Sequence, residues 1–411
     1  MATLHRGNIK MALDSIRSTK WRSLLTMLGV IIGIVSVVMI VGIGEGVKNE
    51  VTRQITQFGD DLITVRPGNI QQNNGKIMTN TDLLFGLNSL SGLTEKDLKT
   101  IQGSKHVRLA APLSVVPGIV ESDGRTLNNS LVLATNADLP KALNRDIRYG
   151  EFFTEDSDDV RAAVIGRHVA QSLFEEAVPL GKGFTFRGQT FVVRGVFDEF
   201  KSTPLSPVSN FNNAIFIPFK VAERLTGDST QMYSILAKPD SPNNTQAALA
   251  SINQSMTKSH GGQKDYTVLD QKQNLEASSD VLGLITTMIA AVAGISLLVG
   301  GVGIMNIMLA TVTERMHEIG VRKAIGATNR QILNQFIIEA AVLSLFGGIV
   351  GIVISVVAIY GVRIYTDLKP VLSWEAVGAA LLTSLLIGVV FGTLPAAKAA
   401  RKDPIEALRH E

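Results

Sequence analysis

Four stretches of this chain carry no charged residue: Ser23–Gly44, Val281–Thr313, Ala340–Val362 and Ala376–Ala397. A bilayer core is crossed by about 20 apolar residues in a helix, and each stretch is long enough. Val281–Thr313 exceeds one upright span, so it must tilt or continue as helix beyond the membrane surface. Buried helices of soluble proteins rarely run so far without a charge. The first stretch has the basic start of a secretory leader, in Arg17, Lys20 and Arg22, but it is longer than the about 7–15 apolar residues of a leader. It reads as a retained span.

Composition agrees. The chain is 45% hydrophobic and only 18% charged, against about 25% charged in a typical soluble domain. Its net charge of +3 gives no general nucleic-acid binder, and the absence of cysteine excludes disulfides, thiolate metal sites and thiol nucleophiles. Orientation follows from lysine and arginine. Arg6, Lys10, Arg17, Lys20 and Arg22 precede the first span. Arg315, Arg322, Lys323 and Arg330 lie between the second and third, and Lys398, Arg401, Lys402 and Arg409 follow the fourth. The loop between spans three and four holds only Arg363 and Lys369. The positive-inside rule places both termini in the cytoplasm and the long segment between spans one and two outside.

That outer segment, Gly46–Asp280, is large enough for a domain. Strand patterns recur at 61–67, 130–136, 162–166, 190–197, 214–219 and 233–239. Helical patterns alternate with them at 94–101, 168–174, 219–225 and 245–258, which predicts a mixed α/β fold. Polar stretches at 69–76 and 201–213 read as loops. No catalytic constellation emerges. His106, His168 and His260 lack metal-ligand spacing, Asp158–Asp159 and Glu175–Glu176 read as solvated faces, and Gly181-Lys182 lacks the rest of a phosphate loop. The predicted fold class is an integral membrane α-helical protein of four transmembrane helices, with a large extracytoplasmic mixed α/β domain inserted between helices 1 and 2.

Within the spans, Gly29/Gly33, Gly347/Gly351 and Gly388/Gly392 have the spacing that lets helix backbones approach, and Asn306 is positioned to hydrogen-bond a neighbouring helix. No intramembrane charge marks an ion or proton path. The segment Glu314–Ile332 is different: dense in both signs of charge, amphipathic and broken by two glycines. His317-Glu318 begins a zinc motif whose second histidine is missing. Glu314 and Glu318 weaken a lipid-anchor reading, and a mixed-charge face with small residues suits a protein groove.

The string "TERMHEIGVRKAIGATNRQILNQFIIEA" resembles the signature of FtsX-type permeases of ABC transporters. The stretches beginning "MALDSIRSTKWRSLL" and "RAAVIGRHVAQSLF", and the tail "LPAAKAARKDPIEALRHE", are similar to MacB-like permeases in the same order. The resemblance implies a homodimer beneath which two copies of a separate ATPase bind ATP and Mg, with an extracytoplasmic adaptor, in a bacterial cytoplasmic membrane. It implies mechanical transmission of force, not passage through a pore. The chain itself would bind no cofactor and no nucleic acid, contacting only lipid and these partners. No P-loop motif occurs, so the ATPase is expected on another polypeptide. Glu314, Arg315, Glu318, Gly320, Arg322, Lys323, Ala324, Gly326 and Ala327 are the implied coupling positions, with Gly320 and Gly326 permitting close backbone approach.

The expected organisation is a cytoplasmic amphipathic segment 1–22, a first span 23–45, the outer core domain 46–280 with a smaller lobe inserted at roughly 115–215, and a stalk with the second span at 281–313. A coupling helix 314–332, a third span 333–363, an outer loop 364–373, a fourth span 374–397 and a cytoplasmic tail 398–411 complete it. Export of antibiotics or peptides is the leading functional expectation. Lipoprotein release, or FtsX-like control of wall hydrolases, is the alternative within the family. A membrane-anchored enzyme or sensor without an ATPase is the alternative outside it.

Overall fold

A computed structural model of the protein describes residues 20–68, 71–73, 76–78, 92–127, 131–154, 161–200, 210–227, 230–366 and 368–403. Most of the expected amino-terminal segment and tail, and residues 201–209 of one expected loop, lie outside the described residues. The order begins α1 (Lys20–Thr56), β1 (Ile63–Pro67), β2 (Gln71–Asn73), β3 (Lys76–Met78), α2 (Glu95–Gln102), β4 (Val107–Val115), β5 (Val120–Ser122), β6 (Arg125–Leu127) and β7 (Leu131–Thr135). It continues α3 (Leu139–Ala142), β8 (Ile147–Gly150), β9 (Ala162–Ile165), α4 (Arg167–Phe174), β10 (Gly183–Phe186), β11 (Gln189–Phe197), β12 (Ala214–Pro218), α5 (Phe219–Thr226) and β13 (Ser234–Pro239). The remaining elements are α6 (Thr245–Ser259), β14 (Tyr266–Asp270), α7 (Gln271–Glu314), α8 (Met316–Ala324), α9 (Asn329–Tyr365) and α10 (Trp374–Arg401). The chain divides into two compact units, Lys48–Val281 and the remainder.

In the unit Lys48–Val281, twelve of the described strands form a mixed sheet in the order β14-β1-β13-β4-β7-β12-β9-β11-β10-β5-β6, with β8 beside β11. Strands such as "AAVI" and "AIFIP" are buried at every position because both faces of the sheet are covered. Ala163, Ile165, Ile215 and Ile217 face one core, beneath Val169 and Leu173 of α4 and Ile252 and Met256 of α6. Val164 and Phe216 face the other, with Leu139 of α3 and the rings of Phe153, Phe197, Phe200 and Phe211.

Residues 115–218 supply the β5–β12 part of this sheet, and the flanking chain supplies β14, β1, β13 and β4. The two parts are joined where Ser114 and Val115 of β4 pair with Ala134 and Leu133 of β7. β4 escapes sequence reading because Pro112 argues against a central strand. It is tolerated because the pairing with β7 engages only Ser114 and Val115. The polar stretch 69–76, expected as a loop, contains strand: β2 and β3 pair antiparallel, Gln71 opposite Met78.

In the other unit, α1, α7, α9 and α10 are long and apolar enough to cross a membrane. Val30 and Ile34 of α1, Leu297 and Ile304 of α7, Phe336 and Ala340 of α9, and Ala396 of α10 share one core. The loop between α9 and α10 lies on α1. The Val371 amide donates to Gly42 O at 2.9 Å, and a Cβ on Gly46 would stand 2.5 Å from Lys369 O.

Candidate coupling site

The segment 314–332, expected as one helix, is a short helix, a glycine turn and the first turn of α9. α7 ends at Glu314, and Arg315 leaves helical geometry with φ −103° and ψ 20°. α8 ends in a Schellman turn: the amides of Gly326 and Ala327 donate to Lys323 O and Arg322 O, each at 3.0 Å. Gly326 supplies the left-handed residue this turn requires, with φ +104°. Thr328 then caps α9. Its amide donates to Gln331 Oε1 at 2.8 Å and its Oγ1 accepts from the Gln331 amide at 3.4 Å. The division therefore follows from residues at 326 and 328 that end one helix and start the next.

Much of the implied coupling set turns inward. Ile319 and Gly320 are buried against the membrane-unit core. Arg315 Nη1 stands 3.4 Å from Oε1 of the buried Glu339 on α9. Arg322 Nη1 donates to Gln335 Oε1 on α9 at 3.0 Å, and its Nη2 lies 3.9 Å from Glu318 Oε2. Lys323 Nζ donates to Ala400 O at 2.6 Å and Lys402 O at 2.7 Å, satisfying carbonyls at the end of α10. These three cations hold α8 to α9 and α10, and Ala327 packs partly buried beside the same core.

What remains outward includes His317 and, past α8, Arg330. Glu318, Val321 and Ile325 recur at helical spacing on one exposed face, joined by Ala324. Ile325 is 81% exposed. Glu314 and Gly326 are also exposed, and a Cβ on Gly326 would meet nothing within 4 Å. Gly326 therefore serves the turn, and the buried Gly320 offers no surface for approach by another molecule. The outward patch, a carboxylate beside two apolar side chains, suits a protein surface with a basic group next to an apolar cleft.

The glycines of the spans differ among themselves. A Cβ on Gly29 would stand 2.6 Å from Gly300 Cα, and one on Gly33 would stand 2.5 Å from the Leu297 side chain, so α1 and α7 approach closely there. Gly388 and Gly392 meet Ser344 and Ala340 of α9 at 2.6 and 2.5 Å. Gly351 meets Ile34 at 3.0 Å, whereas Gly347 has ordinary contact, with Met27 at 3.5 Å. Asn306 is exposed on α7 and makes no hydrogen bond to another helix among the described residues. Ser344 and Ser384 form a polar link between α9 and α10. Their Oγ atoms lie 3.1 Å apart, and Ser384 Oγ donates to Ser344 O at 2.6 Å. Isolated serines in an apolar run give no sequence sign of being opposite one another. Glu339, at the border of an apolar run three residues past Phe336, was the legible hint of a buried acid.

Residues 23–255 match the family described as MacB-like periplasmic core domain, and residues 290–404 match the FtsX-like permease C-terminal family. The uncharacterised ABC transporter permease YknZ of Bacillus subtilis is 34% identical over 408 residues, covering 98% of this chain and 99% of its own. The chain belongs to the MacB-type, FtsX-like family of ABC transporter permeases. It is a multi-pass membrane protein. The permease is also 36% identical over 392 residues to the pyoverdine export ATP-binding/permease protein PvdT of Pseudomonas aeruginosa, covering 95% of this chain and 56% of PvdT. With the macrolide export ATP-binding/permease protein MacB of Marinobacter nauticus it shares 33% identity over 410 residues, covering 98% of this chain and 60% of that protein. The permease thus spans a little over half the length of these two relatives.

Proposed function

We propose that this permease is the membrane subunit of an ABC exporter and that a separate ATPase drives it through the exposed face of α8. The observation that carries the reading is the division of labour on α8. Glu318, Val321 and Ile325 face outward, while Arg315, Arg322 and Lys323 bind α8 to α9 and α10. A push on the outward face then moves both spans together. A homodimer with two ATPase subunits carrying ATP and Mg, and an adaptor on the outer side, completes the assembly. Relatives named for pyoverdine and macrolide export support small amphiphilic molecules or peptides as substrates. The basic residues flanking the spans support cytoplasmic termini and an α8 facing the cytoplasm.

Co-purification with the cognate ATPase tests the docking face. Glu318→Arg and Ile325→Asp are each expected to weaken the complex at least tenfold while leaving the permease monodisperse. Unchanged association in both variants sinks the reading. Orientation has its own test: a reporter fused after Lys76 should be active outside the membrane, and one fused after Glu411 inside.

A further inference from the structure

In the unit Lys48–Val281, the end of α1 and the turn after it are held at Ile55, Gln57, Phe58 and Gly59. Gln271 Nε2, at the first residue of α7, donates to Ile55 O. Arg145 Nη2 donates to Gln57 Oε1 at 3.2 Å, and its guanidinium lies 5.4 Å from the Phe200 ring centre. The Phe58 ring sits 6.0 Å from Phe211 and 6.4 Å from Phe200. Asn144 Nδ2 donates to Phe58 O at 3.1 Å. At Gly59 the backbone turns with φ +91°, where a Cβ would stand 2.6 Å from Asn144 Nδ2.

Behind this joint is a buried lysine. Lys238 of β13 is 2% exposed. Its Nζ donates to Asn144 Oδ1 and lies 3.2 Å from Asp61 Oδ1. Burying an ion pair is poor value for stability, since an apolar pair of similar volume does as well or better. What the pair supplies is direction: Asn144 is gripped on one side by Lys238 and grips the end of α1 with the other. β13 is hydrogen-bonded to both β1 and β4, so the grip reaches the middle of the sheet. The start of α7 is fixed as firmly. Asp270 caps it, accepting from the Gln273 amide at 2.8 Å, and Gln246 of α6 donates to the same carboxylate at 2.7 Å.

We propose that Lys238, Asp61, Asn144 and Gln271 form a latch that hands movement of α1 and α7 to the sheet. A slack polar linker would absorb a displacement of either helix. This joint has none: both helix ends are capped by side chains from other elements, and they are tied to each other through Gln271 and Ile55. The four are positioning residues, and their role rests on the reading of the chain as a transmitter of force.

The chain has no cysteine, so labelled pairs can be introduced cleanly. Spin labels at Glu121→Cys and Tyr365→Cys, in full-length permease with its ATPase in lipid vesicles, report the distance between the two units with and without ATP and Mg. The parent is expected to show a nucleotide-dependent change. Lys238→Met with Asp61→Leu removes the pair without stranding a charge, and Gln271→Ala removes the tie to Ile55. Each is expected to leave ATPase association intact and to reduce the distance change at least twofold. Full retention of the change in both variants overturns the latch. If the double variant fails to fold, the Gln271→Ala result decides alone. If the parent shows no nucleotide-dependent change, the force-transmission reading falls and the latch with it.

Discussion

Lys323 reaches a residue 77 positions away: its Nζ donates to the carbonyl oxygen of Ala400 at 2.6 Å. This bond and its companion to Lys402 tie α8 to the end of α10. A cation at a helix C-terminus also meets the negative end of the helix dipole. Lys323→Met should therefore leave the outward face of α8 intact while freeing α10. The expected result is unchanged ATPase co-purification, a stability loss of about 1–2 kcal/mol, and loss of nucleotide-driven output. Weakened co-purification with output preserved would assign Lys323 to docking instead.

Two glycines of the same spacing class should respond differently to one methyl group. A Cβ on Gly29 meets the backbone of Gly300, which cannot yield, so Gly29→Ala is expected to cost about 1–3 kcal/mol by overpacking. Gly347→Ala meets only the side chains of Met27 and Val30, at 3.5 Å and beyond, and should be nearly neutral. Thermal unfolding midpoints in one detergent compare them directly. Equal losses would refute the contact geometry of α1 with α7.

His260 is expected to make the stability of the unit Lys48–Val281 depend on pH. Its Nε2 lies 2.9 Å from Asp97 Oδ1 and its Nδ1 2.6 Å from Asp265 Oδ1, with the Tyr266 ring against it. Burial opposes the charged ring, but hydrogen bonds to Asp97 and Asp265 and their charge outweigh it and raise the pKa above the ordinary value of 6.5. A raised folded pKa means that the contribution is full below the unfolded pKa and fades as pH rises through the folded one. The stability gap between the parent and His260→Phe should thus be largest near pH 5.5 and shrink towards pH 8.5. A gap independent of pH would show that His260 acts by packing alone.

The cluster around His260 also marks the limit of sequence reading. Asp97 lies 163 residues from His260, and no local pattern joins them. The spans were legible because hydropathy is a property of contiguous residues and a bilayer demands about 20 of them. Strands β7, β9, β11, β12 and β13 were legible for a similar reason: their apolar runs are short, β-rich and bounded by turns. β4 was not, because its proline is acceptable only where β7 stops short of Pro112 and pairs with Ser114 and Val115 alone.

The sequence by itself determined four membrane-length helices, a mixed α/β insertion and a charged segment after the second span, since these rest on composition and local periodicity. Only the tertiary structure decided which residues of that segment face outward. Arg315, Arg322 and Lys323 carry the same charge and fit the same motif as a docking surface would. Their partners, Glu339, Gln335 and the carbonyls of Ala400 and Lys402, come from α9 and the end of α10. A side chain's role there is set by what the fold brings within 3–4 Å of it, and that proximity is written nowhere in the local sequence.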